Sequence, residues 1–150
     1  MKTKIILLLT AVLLLTNGCK TPEPEIQKPA AADYTGTLEV EYEGVVNASQ
    51  DIRVHFQPSE DGTTATLTIY KVKFVPQMPV TIDVTVPGIT LTHEAGEFRF
   101  SGENIIPEAM GGPVERYRVT GLTGTQKEKT LRFNLRFGGF PTAFTGTKAP

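Results

Sequence analysis

The chain has no tryptophan, one cysteine and two histidines in 150 residues. A single cysteine rules out an intramolecular disulfide, so the core must hold by burial and hydrogen bonding alone. His55 and His93 lie far apart in sequence, with no second His at ligand spacing, and no metal site is expected. Neither sign of charge is in large surplus: 15 basic side chains face 16 acidic ones, with no Lys/Arg block. A nucleic-acid partner, which needs a basic stripe, is not expected. The longest apolar run, Ile5 to Leu15 (IILLLTAVLLL), spans eleven residues. As a helix it would rise roughly 16 Å, about half of a ~30 Å hydrocarbon core. It is too short to span.

The usual catalytic patterns are missing too. Ser49, Ser59 and Ser101 sit in no Gly-x-Ser-x-Gly elbow. Gly111-Gly112 precedes Pro113 where a phosphate loop would open a helix. Glu94, Glu97, Glu103 and Glu108 are acidic enough for a glycosidase pair, but they cluster around turn signals, where solvated carboxylates are ordinary. Neither an enzyme nor a cofactor is expected.

What is present begins at the N-terminus. Lys2 and Lys4 precede the apolar run, and Thr16-Asn17-Gly18-Cys19 follows it. That layout reads as a lipoprotein signal over residues 1–18, cleaved after Gly18, with Cys19 acylated on its sulfur as the mature N-terminus. Only a thiolate attacks the lipid donor well enough, which explains one cysteine placed there. The expected partner is therefore a lipid bilayer, reached through acylated Cys19, and the expected location is the outer membrane of an exported protein, on either face. Losing Lys2 and Lys4 leaves a mature charge of about −3. Residues 19–32 hold the lipidated Cys and a Pro-rich stretch, KTPEPEIQKPAAA, with one large aliphatic, Ile26. It cannot bury enough surface to fold and reads as a disordered tether.

From residue 33 to 150 the pattern is period two. Leu38, Val40 and Tyr42 alternate with polar residues, as do Ile52, Val54 and Phe56, and Val80, Ile82, Val84 and Val86. The run from Ala65 shifts phase at Tyr70-Lys71 before Val72 and Phe74. Phe98 and Phe100, Tyr117 and Val119, then Leu131, Phe133, Leu135 and Phe137 continue the alternation. These are half-buried strands, eight or nine of them. Turn signals fall between, among them Glu60-Asp61-Gly62, Pro87-Gly88, Gly111-Gly112-Pro113 and Gly124 to Lys129. Without crossover helices the sheet must be antiparallel. The expected fold is all-β, a small up-and-down barrel, with a sandwich as the competing architecture. The ends favour closure: YTGTLEV opens the domain and AFTGTK closes it, with Gly36 and Gly146 placed to let first and last strands approach.

Those end motifs, together with DGTTATLTIYKVKF, MPVTIDVTVPGITLT and GEFRFSGE in this order, resemble the calycin-like (lipocalin-like) β-barrel lipoprotein family of Bacteroidetes. The resemblance implies an antiparallel barrel, export, and a ligand-binding role by analogy with lipocalins. It supplies no catalytic residue. From parity alone, Phe98, Phe100, Phe133 and Phe137 face inward and are the candidates to line a pocket for a small apolar or amphipathic ligand. The other outcome is a filled barrel that acts through its outer surface. Arg116, Arg118, Arg132 and Arg136 fall on the opposite parity as an outer basic stripe, fit for an anionic polymer or a protein partner.

Overall fold

A computed structural model describes residues 28–150. The expected signal, the Cys19 lipidation site and the tether as far as residue 27 lie outside the described residues. The strands are β1 (Ala32–Tyr42), β2 (Val45–Pro58), β3 (Thr64–Val72), β4 (Ile82–Glu94), β5 (Glu97–Gly102), β6 (Glu108–Ala109), β7 (Gly112–Pro113), β8 (Val119–Lys127), β9 (Thr130–Phe137) and β10 (Phe140–Lys148). Eight of them form a closed antiparallel barrel in the order β1-β2-β3-β4-β5-β8-β9-β10 and back to β1. Neighbours in sequence are neighbours in space, so the meander is up-and-down as expected. The β6–β7 hairpin is an appendage, joined to β4 at Thr85↔Glu108.

Closure occurs where the repeated Thr-Gly-Thr motifs meet. Gly36 of β1 lies opposite Gly146 of β10, within a register running from Tyr34↔Lys148 to Val40↔Thr142. A methyl group on Gly36 would lie 2.0 Å from the Thr145 carbonyl oxygen and 2.4 Å from the Gly146 Cα. Only glycine allows backbones this close. β1 itself starts at Ala32, ahead of the expected boundary, because Ala32 shares the inward parity of Tyr34 and pairs with Phe56.

Four bulges curl the sheet. In each, one strand advances three residues while its partner advances two, and a residue with positive φ marks the step: Asp51 in β2, Lys71 in β3, Gly88 in β4 and Gly121 in β8. A bulge sharpens local twist and bends the strand, which a small barrel requires at its corners. The Tyr70-Lys71 phase shift is thus a bulge, with the Lys71 amide donating to the Asp83 carboxylate at 3.0 Å. Pro87-Gly88, expected as a turn, is instead a bulge within β4.

Two further expectations change. Gly124 to Lys127 belongs to β8, and the turn is confined to Glu128-Lys129. Glu115–Tyr117, expected as a strand, is a single 3-10 turn, and Tyr117 is buried by stacking on Phe74 with centroids 4.1 Å apart.

The β2–β3 turn is held by one carboxylate. Asp61 accepts from the Ser59 hydroxyl at 2.6 Å, the Thr63 hydroxyl at 2.8 Å and the Thr63 amide at 3.1 Å. These bonds, that from Ser59 first, lower its pKa to about 2 from an ordinary 3.8. Because the folded value is depressed, the turn's contribution is full above the ordinary value and is lost as pH falls through about 2. A carboxyl-carbon NMR titration is expected to give Asp61 a midpoint near 2, moving toward 4 in Ser59→Ala.

Candidate functional site

The inward side chains make one continuous core. Tyr34, Phe56, Phe74, Phe133, Phe137 and Phe144 are its largest fully buried members. The four candidate phenylalanines do not share a wall. Phe98 sits near the β4–β5 turn, half-buried, 4.8 Å from the His93 ring. Phe100 and Phe133 do come together in the middle, with centroids 6.4 Å apart. Phe100 also faces Phe56 at 5.5 Å, and Phe133 stacks on Phe144 at 5.3 Å. Phe137 belongs to the other end, edge-on to Phe74 at 5.3 Å.

That end is the one where the longer links, 73–81 and 103–118, cross the barrel. Phe74 from the first link and Tyr117 from the second stack across it, and Phe140 joins both, 5.4 Å from Phe74 and 6.3 Å from Tyr117. Tyr42 lies over Phe140 at 6.2 Å. These rings plug the place where an open barrel would admit a ligand. The Phe74 amide donates to Met78 Sδ at 3.1 Å, tying the link down over the plug. Alternation marks Phe74 as inward, whereas Phe140, the first residue of β10 and on that strand's inward phase, was not singled out by parity.

The opposite end carries the N-terminal approach and the C-terminus. Ala149 donates its amide to the Asp33 carbonyl at 2.9 Å, and Lys28 Nζ donates to the Glu60 carbonyl at 3.0 Å. Here His55 Nδ1 meets Asp33 Oδ1 at 2.7 Å, and Nε2 lies 3.3 Å from Gln57 Oε1. Tyr34, with its hydroxyl accepting from Gln126 Nε2 at 3.1 Å, has its pKa raised by burial. The His55–Asp33 pair stands on the outer face of this end, part-exposed, and ties β1 to β2.

The outer face offers something different. A groove of about 530 Å³ crosses β4, β5, β8 and β9. Its floor is formed by Phe100, Gly124 and Phe133, register partners of which the two phenylalanines turn their rings inward. One wall is the outward row Thr92, Arg99, Thr125 and Arg132; the other is Ser101, Thr123 and Asn134. Rows two residues apart stand roughly 7 Å from each other, and four strands span roughly 14 Å. Gly124 is bare because the Phe100 ring packs over it from inside. A methyl there would lie 2.3 Å from the Phe100 ring, so this glycine stands inside a strand for packing and marks no turn.

The two arginines of the groove differ in their partners. Arg99 Nε donates to Glu97 Oε1 at 2.8 Å and its NH1 lies 3.3 Å from Glu94 Oε2, which raises its pKa, the Glu97 bond contributing most. Arg132 is exposed and makes no ion pair or side-chain hydrogen bond among the described residues. The expected basic stripe is shorter than parity suggested. Arg132 and Arg136 stand exposed on β9, whereas Arg116 lies in the 3-10 turn, over the Tyr117 ring at 5.0 Å, and Arg118 precedes β8.

Compared with protein-family models, curated proteins and solved structures, the chain matches none.

Proposed function

We propose that this protein is an exported envelope lipoprotein, moored to the outer membrane through acylated Cys19, whose calycin-like barrel is a solid scaffold that binds through its outer surface. Of the two functions expected from the sequence, a ligand carrier and a filled barrel working from outside, the geometry favours the second. One observation carries this reading: Phe100, Phe133 and Phe137, 3%, 1% and 0% exposed, are engaged by other core rings. An interior ligand would have to displace them, forfeiting ring contacts worth roughly 0.5–1.5 kcal/mol each beyond burial.

The mooring is supported by the sequence: a charged start, a short apolar run and Cys19 at its end. Stable attachment takes two acyl chains, which a lipoprotein cysteine carries. Fractionation of cells expressing Cys19→Ala is expected to move the bulk of the protein from the membrane pellet to the soluble fraction. Retention of the variant in the pellet at the wild-type level contradicts the mooring.

A further inference from the structure

We propose that the groove across β4, β5, β8 and β9 is a binding site for an extended anionic glycan, a sugar chain carrying carboxylate groups, with Arg132 as the charge contact. This rests on the reading of the barrel as an outward-facing scaffold.

The chemistry of the walls selects the ligand. Thr92 already donates to the Arg99 carbonyl at 3.3 Å. The side chains of Ser101, Thr123, Thr125 and Asn134 have no hydrogen-bond partner among the described residues, which leaves hydroxyls and an amide that both donate and accept. A polyol presents the same dual character along its length. Other polymers fit less well. A peptide adds to a sheet through a free strand edge, or seats side chains in apolar pockets. The eight barrel strands have no free edge, and the outward groove walls are hydroxyl, amide and guanidinium. Single-stranded nucleic acid asks for exposed aromatic platforms along a basic track. Here the two floor aromatics are buried and one of the two arginines is already neutralised by Glu94 and Glu97.

The geometry also favours a chain over a single small anion. A neighbouring depression, lined by Glu97, Thr125, Lys127, Glu128, Thr130 and Arg132, shares Thr125 and Arg132 with the groove. Another, beyond the Asn134 wall, is lined by Glu39, Glu41 and Ala143 among others. Both depressions run beside the groove, behind its two walls; the groove's own course over four strands, roughly 14 Å, is what suits a chain. Arg132 stands beside it with its planar fork unspent, suited to a carboxylate.

The test uses the full mature protein in detergent, titrated by calorimetry with polygalacturonate, neutral dextran and free galacturonate. Polygalacturonate is expected to bind, dextran at least tenfold more weakly, and monomeric galacturonate more weakly than the polymer. Arg132→Ala is expected to weaken polygalacturonate binding roughly tenfold and Arg132→Lys less, since Lys keeps the charge without the fork. Arg136→Ala, on the same strand outside the groove, is expected to leave it unchanged. Equal binding by wild type and Arg132→Ala overturns the assignment, as does no binding of the polymer. Either failure leaves the scaffold reading standing, because that reading falls only if an apolar probe enters the barrel interior.

Discussion

Gly36→Ala is expected to abolish or nearly abolish cooperative folding, although it adds a single methyl group. The added carbon would lie 2.0 Å from the Thr145 carbonyl oxygen, far inside contact distance, and its neighbours are backbone atoms of the partner strand. Side-chain overpacking usually costs 1–3 kcal/mol because side chains can shift. Backbone cannot yield without breaking the β1–β10 ladder that closes the barrel, so the penalty should exceed roughly 3 kcal/mol against a typical total of 5–15 kcal/mol. Gly96→Ala is the control. Gly96 has φ of +79° and nothing within 4 Å of its missing Cβ, so it bears only the left-handed penalty of about 1–2 kcal/mol. Urea unfolding followed by circular dichroism should show Gly36→Ala unfolded or with a much lower midpoint, and Gly96→Ala only modestly shifted. Matching midpoints for wild type and Gly36→Ala would contradict the seam.

Phe133→Ala has the other large expected effect, through the opposite defect. Phe133 is 1% exposed, stacked on Phe144 and flanked by Phe100. Truncating a buried Phe costs about 3–5 kcal/mol, part of it for the cavity left behind. The thermal midpoint should fall by roughly 10–20 °C in a domain of this size. The walls of that cavity would be rings and aliphatics, which makes it dry and able to take a small apolar guest such as benzene. The variant should therefore regain stability when benzene is added, by mass action on the folded state.

Much of the fold is legible in the chain because barrels are written in parity. The phase shift at Tyr70-Lys71 marked a bulge, and the paired Gly36 and Gly146 marked the seam, since each reflects a local backbone demand. Gly124 was misread as a turn for the same reason in reverse: it is glycine because the Phe100 ring occupies its Cβ space, and that ring comes from another strand. The Tyr117 segment kept its inward parity while its backbone became a 3-10 turn, since stacking on Phe74 rewards the buried ring whatever backbone delivers it. The candidate site was legible only in part. Alternation placed Phe100 and Phe133 inside together, but whether an interior is hollow depends on bulges and ring packing that parity does not encode. Of the outer groove only Arg132 was legible, as one of the outward arginines; the walls were not, because they come from separate strands whose register sets which outward side chains stand in line.

The most direct test of the filled barrel is methyl NMR of the wild-type protein titrated with benzene and with a long-chain fatty acid, read at the buried methyls of Leu67, Leu122 and Leu131. The expected result is no saturable shift in the wild type for either probe, with Phe133→Ala responding to benzene. A saturable shift of those methyls in the wild type would show a ligand inside the barrel and contradict the outward-facing scaffold.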